Sequence, residues 1–427
     1  MKNLLRYAMM AATVAMMATA CGDKDDNGQN VPAPSPLTPD QHKAKLETIG
    51  KEFAGYFSPE ESRTAIESLQ TLLDLLNAND EVDPMPTPVQ PMTRSLLDAL
   101  RDNAPGALMG AVTRAAIRYT IAGELGSNGM IYTYNDTTEE WDSQASDERK
   151  ITVNYADDKH ESQVVIAYAA EKTDYTYKPE NAIVEVPNRI ALTLLVAKKE
   201  ELSFFVIPNL SSDGLTLNPE AKLTHGTLTL SAKGEANPNY IACNSEIVKN
   251  GTVIATGYAK VAVSDLTDTN NWIVTETDWN GTEYEDVDPS DHFRDYVKTG
   301  EGTLQLLTAK VVGQGDIRKI IDLRDKIENK WTQAGAEAEA AIYNANMSIY
   351  LAYADDNTKV ADIEMQAVRD YSYFDGTQYV YDYTTEGVLV FGDGSRTAFE
   401  SYFTRNRFSS LFDTIEELLE GYSNILR

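Results

Sequence analysis

The stretch "ITVNYADDKHESQVVIAY", residues 151–168, sets the class of this fold. Apolar and polar side chains alternate in both of its halves, and the Asp-rich "YADD" separates them. Such alternation predicts two half-buried β-strands joined by a turn. A second stretch, "MSIYLAYADDNTKVADIEM" at 347–365, has the same order, and both follow helical sequence. Two interpretations stand: a duplicated helix-plus-hairpin unit, or a coincidence between two ordinary hairpins with Asp-rich turns.

Further segments rich in Val, Ile, Tyr and Thr follow one another from residue 130 to residue 263. Turn residues separate them, and "VKNGTV" at 248–253 predicts a hairpin because it has Asn-Gly at its centre. Connections this short do not leave room for helices between the strands. The pattern therefore predicts an antiparallel β-meander.

Helical patterns flank this β region on both sides. Thr38-Pro39-Asp40-Gln41 predicts a helix start with a capping box, and Leu46 and Ile49 follow at helical spacing. Ser58-Pro59-Glu60-Glu61 predicts a second start, and further helices are predicted at 94–102 and 105–122.

After the β region, the spacing predicts one long helix over 315–346, with Trp331 on its apolar stripe and a kink at Gly335. "FSSLFDTIEELLEGY" predicts a C-terminal amphipathic helix. The expected fold class is α+β: N-terminal helices, a large antiparallel β-meander in one or two sheets, one long crossing helix and a C-terminal helix. The expected boundaries are a leader at 1–20, a linker at 21–37, a helical region at 38–127, a β region at 128–311, and the long helix, hairpin strands and last helix at 312–427.

The charge of the chain limits its partners. It has 427 residues and a formal net charge of -29, with ordinary globular proportions of 42% hydrophobic and 24% charged residues. An acidic body of this kind repels phosphate backbones, so nucleic acid is excluded as an expected partner.

The first twenty residues, "MKNLLRYAMMAATVAMMATA", begin with Lys2 and Arg6 and continue as a short apolar run. This is the layout of a secretory leader. The junction Ala18-Thr19-Ala20-Cys21 resembles the lipobox of bacterial lipoproteins, with Ala18 where Leu is commonest. The resemblance implies cleavage before Cys21 and acylation of that cysteine with diacylglycerol and a fatty acid such as palmitate. Several acyl chains satisfy the requirement for stable anchoring.

Directly after the cysteine comes "GDKDD", with Asp23, Lys24, Asp25 and Asp26. It is similar to the acidic export signal of Bacteroidota-type surface lipoproteins, whose members include many of undescribed function with a helix-plus-meander body. That resemblance implies a lipid anchor in the outer membrane and display on the cell surface. The alternative is an acidic solvated linker on a lipoprotein that faces the periplasm.

Motifs for catalysis are missing from the sequence. No nucleophile elbow, zinc-protease motif, phosphate loop or dinucleotide fingerprint occurs, and the four histidines have no second His or Cys at ligand spacing. The acids at 283–291 lack the alternating pattern of a calcium loop. The sequence therefore predicts no cofactor, no metal and no catalytic residue, and it favours a non-enzymatic protein.

Aromatic residues give the one candidate binding site. Trp272, Trp279 and Tyr284 lie in a polar stretch, where exposed rings would stack on a glycan or anchor a protein. The competing interpretation makes them satellite core. The favoured function is a surface lipoprotein that binds glycan or protein. The alternatives are a lipid-handling protein with a curved sheet and, third, a glycosidase.

Overall fold

The computed structural model is mixed α and β with strands predominating, so the α+β class is confirmed. Described residues are 31–77, 129–148, 150–156, 161–169, 173–177, 182–186, 189–207, 209, 211, 216–264, 273–277, 283–287, 296–374 and 377–425. The leader, Cys21, the export signal and the helices predicted at 94–102 and 105–122 lie outside these residues.

The described chain divides into two compact units that interleave along the sequence. Unit 1 takes residues 31–53, 236–243 and 255–414. Unit 2 takes the described parts of 54–235, with 244–254 and 415–425.

Six helices lie in the described residues: α1 Pro39–Gly55, α2 Pro59–Asn77, α3 Ile317–Arg324, α4 Gln333–Asn346, α5 Phe399–Tyr402 and α6 Ser409–Ile425. The described strands are β1 Gly129–Asn135, β2 Glu140–Ser146, β3 Lys150–Ala156, β4 Glu161–Ala169, β5 Thr173–Tyr177, β6 Ala182–Val186, β7 Arg189–Val196, β8 Lys199–Ile207, β9 Glu220–His225, β10 Leu228–Asn237, β11 Tyr240–Lys249, β12 Thr252–Val263, β13 Ile273–Thr277, β14 Glu283–Val287, β15 Val297–Leu306, β16 Ala309–Asp316, β17 Met347–Tyr353, β18 Lys359–Phe374, β19 Tyr379–Phe391 and β20 Arg396–Ala398.

The strands of unit 2 follow the order β2-β1-β3-β4-β7-β8-β9-β10. Neighbours pair antiparallel, as predicted, except β1 and β3, which are parallel with Met130 opposite Ile151. The purely antiparallel meander is therefore wrong at this pair. The reason is β2, a polar strand without apolar alternation: it folds back along one edge of β1, so the chain returns to the other edge in the direction of β1.

The core of unit 2 is aliphatic and lies under α2. This helix packs on β7 and β8, and its predicted stripe is buried at Ile66, Leu69 and Leu73. In β7, alternate residues such as Leu192 and Leu194 are fully buried. Removing these side chains from water stabilises unit 2 by about 1.5–3 kcal/mol each.

The strands of unit 1 follow the order β12-β15-β16-β17-β18-β19-β20, all antiparallel. Its core is aromatic, since Tyr353, Phe391, Tyr402 and Phe408 form one buried cluster with Ile49 of α1. Helix α1 begins with the predicted capping box, in which the N–H of Thr38 donates to the side chain of Gln41 (2.9 Å) and the N–H of Gln41 to the hydroxyl of Thr38 (3.3 Å).

The two "YADD" stretches are hairpins, as predicted, in β3–β4 and β17–β18. In each hairpin the tyrosine that begins "YADD" is buried, and its hydroxyl bonds to a helix. Tyr155 lies 2.9 Å from the hydroxyl of Ser68 in α2, and Tyr353 lies 3.0 Å from Nδ1 of His42 in α1. The two hairpins thus share a construction, and both interpretations, duplication and coincidence, accommodate it.

The long helix predicted over 315–346 is wrong. Residue 315 still belongs to β16, α3 ends at Arg324, and α4 starts only at Gln333. Each helix has its own side-chain N-cap, Asp316 for α3 and Thr332 for α4. Gly335 does not kink a helix. It lies where the backbone of α4 closely approaches the backbone of Asn329, since a Cβ on Gly335 would be 2.0 Å from the carbonyl oxygen of Asn329. The predicted C-terminal helix is confirmed as α6.

The Asn-Gly turn at 250–251 is confirmed. Asn250 and Gly251 both have positive φ, 52° and 76°, between β11 and β12. A tight hairpin turn of this kind favours Asn and Gly because its backbone lies in the left-handed region. Two further hairpins, β5–β6 and β13–β14, each pair only within themselves among the described strands.

Candidate functional site

Three aromatic side chains are exposed among the described residues, and all belong to one neighbourhood of unit 1. Trp331 is 70% exposed, Tyr371 62% and Tyr381 40%. Together with Arg369 they form what we call the aromatic surface. Most large rings in folded proteins are substantially buried, so three exposed rings in one place point to a binding surface.

Two of these rings stand at the outer end of the β18–β19 hairpin. The pairing places Arg369 opposite Tyr383 and Ser372 opposite Tyr381, so β18 has two residues, Asp370 and Tyr371, where β19 has one. This is a β-bulge, which bends a strand and redirects its side chains. The bulge accounts for the outward position of Tyr371.

Arg369 packs on Tyr381. Its guanidinium lies 3.9 Å from the centre of the tyrosine ring, within the range of a cation–π contact. The contact holds the ring against the strand and leaves two-fifths of the tyrosine exposed. It also places a planar group of hydrogen-bond donors beside the ring.

Trp331 is fixed by its backbone. Its carbonyl oxygen accepts a hydrogen bond from the N–H of Tyr383 (2.9 Å), which joins it to β19 two residues from Tyr381. The next residue, Thr332, caps α4 by accepting from the N–H of Gly335 (3.1 Å). The indole is therefore held on a defined backbone while most of its surface faces solvent.

This position of Trp331 corrects the prediction that placed it on the buried stripe of a long helix. Because α3 and α4 are separate, Trp331 precedes a helix cap and does not lie on a helical face. The sequence carried one signal that could have found this surface. Residues 369–383, "RDYSYFDGTQYVYDY", contain five tyrosines in fifteen positions, more than a half-buried hairpin needs.

The described residues do not cover the side chains that the sequence predicts as a site. Trp272 and Trp279 lie outside the described residues, and Tyr284 is in β14, where the description covers only the backbone. Their role in binding stays a prediction. Cys21, Asp23, Lys24, Asp25 and Asp26 also lie outside.

The described residues include one cysteine, Cys243, and two histidines, His42 and His225. Within the described ranges no group of three or more His, Cys, Asp or Glu side chains is arranged to hold a metal ion. Cys243, in β11, is half-buried, and burial raises the pKa of its thiol, which makes it a weak nucleophile at neutral pH. His42 and His225 are both buried, and each bonds to groups of the fold: His42 to Tyr353, His225 to the carbonyl oxygens of Glu61 and Glu201.

Comparisons of the chain with protein families, with curated proteins and with solved structures found no match. Among the described helices, none combines the length and the apolar character that a membrane span requires.

Proposed function

We propose that the protein is a membrane-anchored extracytoplasmic lipoprotein that binds glycans, without catalysis, through the aromatic surface of unit 1. One observation carries the proposal: Trp331 and Tyr371 are 70% and 62% exposed on backbone that the sheet and a helix cap hold in place.

Fixed, exposed rings favour binding for an energetic reason. An apolar ring in water is unfavourable by roughly 25 cal/mol for each Å² that a ligand would cover. A ring on ordered backbone also loses little conformational entropy when the ligand arrives. Trp and Tyr are accordingly the residues that carry most binding energy at recognition sites.

A glycan fits the surroundings of these rings. A pyranose ring has an apolar C–H face that stacks on an aromatic ring, and hydroxyl groups that need donors and acceptors at its edges. Beside Tyr381, such groups come from Arg369 and Ser372. The net charge of -29 disfavours acidic polysaccharides, so we expect a neutral glycan.

The anchor completes the proposal. A leader that ends at Cys21, followed by a polar linker at 22–37, would tether the body to the outer membrane through acyl chains. The acids around Lys24 favour display on the cell surface, where a glycan is accessible. A periplasm-facing lipoprotein is the alternative.

Binding is tested with a glycan array, followed by affinity measurements on the full chain. Trp331→Ala and Tyr381→Ala should each weaken binding of a retained glycan about tenfold or more, about 1.4 kcal/mol, with an unchanged melting temperature. Val253→Ala, a change at a 47% exposed side chain of β12, is the control and should bind normally. The proposal fails if no glycan is retained, or if the two ring variants bind as the wild type does.

Anchoring and display have their own tests. A fatty-acid analogue should label the wild type and Cys243→Ala, but not Cys21→Ala. Equal label in Cys21→Ala would refute acylation at that residue. An impermeant protease added to whole cells should remove the protein, and survival of the protein until the outer membrane is opened would place it in the periplasm.

The lipid-handling alternative predicts a lipid that organic solvent extracts from the purified chain. Such a protein needs a dry apolar cavity. Recovery of such a lipid, with no glycan retained on the array, would favour this alternative.

A further inference from the structure

A pocket of about 440 Å³ lies in unit 2, where β1 and β3 end, β4 begins and β7 ends. We call it the rim pocket. Its lining includes Thr133, Tyr134, Asn154, Glu161, Gln163 and Lys198. The volume lies within the usual 300–1,000 Å³ of small-molecule sites.

A row of polar side chains crosses three strands on one face of this pocket. Strand pairing places Thr133 opposite Asn154, and Asn154 opposite Gln163. The Gln163 side-chain N–H donates to Oδ1 of Asn154 (2.7 Å), and the Asn154 side-chain N–H donates to the hydroxyl oxygen of Thr133 (3.2 Å). The bonds run in one direction and hold all three groups in fixed orientations.

The row has hydrogen-bonding capacity beyond these two bonds. Each amide has a second N–H, the Gln163 carbonyl oxygen is an acceptor, and the Thr133 hydroxyl is a donor. The row therefore presents three donors and one acceptor along one edge of the pocket. A ligand that carries hydroxyl groups matches such an edge, because each hydroxyl both donates and accepts.

Tyr134 follows Thr133 in β1, and because successive side chains of a strand point to opposite faces, its ring lies on the other face of the sheet from the polar row. It is braced by Trp141 on the neighbouring strand, with ring centres 5.1 Å apart in an edge-to-face arrangement. Burial, with Glu139 and Asp136 nearby, raises the pKa of Tyr134, so its hydroxyl stays protonated at neutral pH. On the face of the row, apolar surface comes instead from Leu195, which lies opposite Gln163, and from Ala156.

The rim carries two charges of opposite sign, Glu161 and Lys198, both exposed. The backbone keeps them together, since the N–H of Ala197 donates to the carbonyl oxygen of Glu161 (2.9 Å). Opposite charges give no strong preference for an anion or a cation. An apolar ligand would cover the amide row and leave buried donors without partners, at about 1–3 kcal/mol each.

From this geometry we infer that the rim pocket binds a neutral polyhydroxylated ligand of the size of a mono- or disaccharide. The amide row forms hydrogen bonds with its hydroxyl groups, and the side chains of Ala156 and Leu195 pack against its C–H face. The site lies in unit 2 and does not include the aromatic surface. This inference can therefore be tested independently of the proposed glycan-binding function.

The test is saturation-transfer NMR on the full chain carrying Trp331→Ala, which removes the main ring of the aromatic surface. The probes are glucose, galactose, mannose, N-acetylglucosamine, maltose and cellobiose. At least one should receive saturation from the protein. Gln163→Leu, added to the same chain, should weaken the binding of that probe tenfold or more, because it removes the first donor of the row.

Gln366→Leu is the matched control. This glutamine lies in unit 1 and donates to Glu386 (2.9 Å), so its loss should leave sugar binding unchanged. If Gln163→Leu lowers the melting temperature, Thr133→Val at an exposed position replaces it, with the same expected loss. The inference is overturned if no probe receives saturation, if the pocket variants bind as the parent does, or if dodecanoate displaces the sugar from the pocket.

Discussion

The hairpins at Tyr155 and Tyr353 each bond a buried tyrosine to a helix, but the partner residue in the helix differs. Both tyrosines begin a "YADD" turn, both are at most 4% exposed, and both hydroxyls bond to a helix. In unit 2 the partner is Ser68, which also donates to Ser162 (2.9 Å). In unit 1 the partner is His42, whose ring packs near Tyr353 and Phe391.

The difference in partner gives the two similar hairpins a different dependence on pH. Serine carries no charge at any ordinary pH, so its bond to Tyr155 is insensitive to acid. Burial, and after it Lys45, lower the pKa of His42 below 6.5, while Asp356 and Asp393 oppose the shift. The bond between Tyr353 and His42 in unit 1 is therefore coupled to pH, whereas the bond between Tyr155 and Ser68 in unit 2 is not.

The largest expected effect comes from removing the rings. Tyr353→Ala and Tyr155→Ala should each lower the free energy of unfolding of their own unit by about 3–5 kcal/mol. Tyr353→Ala should be the more severe, because its ring is fully buried in an aromatic cluster. Denaturant unfolding gives the magnitude, and hydrogen exchange should locate the loss in β17 or in β3.

Tyr371→Ala is the control for these variants, since that ring is 62% exposed, and it should change stability by less than about 0.5 kcal/mol. Should Tyr353→Ala cost no more than Tyr371→Ala, the equivalence of the two hairpins would be lost.

A smaller effect is expected from Ser68→Ala, which leaves the buried hydroxyls of Tyr155 and Ser162 without their shared partner. The expected cost is about 1–3 kcal/mol of unfolding free energy, against a negligible change for Ser143→Ala on exposed β2. Adding Tyr155→Phe should recover part of the loss, since the hydroxyl that lost its bond to Ser68 is then gone. Strict additivity of the two changes would contradict the network.

Removing only the hydroxyls should cost about 1 kcal/mol in each unit. Tyr353→Phe should cost more than Tyr155→Phe, because Ser68 keeps its bond to Ser162 while Nδ1 of His42 loses the bond to Tyr353. Thermal unfolding of the two variants beside the wild type measures the difference. Equal shifts would mean that the helix partner does not matter.

The smallest effect, and the one that sharpens the comparison, concerns pH. Since the pKa of His42 is lower in the folded protein, its contribution to stability is complete above pH 6.5 and is lost as the pH falls through the folded pKa. The melting temperature of unit 1 should therefore fall on acidification more steeply in the wild type than in His42→Gln. Identical pH profiles would show that His42 does not carry the coupling.

The sequence by itself determined the elements whose signals are local. The capping box at Thr38, the Asn-Gly turn at 250–251 and the alternating strands such as β7 were all predictable, because each depends on neighbours within a few residues. The α+β class follows from those elements.

Tertiary structure alone decided the rest. The parallel β1–β3 pair depends on which edge of β1 is occupied by β2, a polar strand that no alternation marks. The separation of α3 from α4 depends on two caps and on the contact that Gly335 makes with Asn329.

Apart from the tyrosine-rich stretch at 369–383, the candidate site could not be predicted from the sequence for the same reason. A helical stripe predicted that Trp331 is buried, but its exposure follows from a hydrogen bond to Tyr383, fifty-two positions along the chain. Likewise, Thr133, Asn154 and Gln163 are separated in the sequence and form no motif. Only the strand register places their side chains next to one another. Local sequence fixes the period of an element, whereas register and packing decide which side chains meet and which face water.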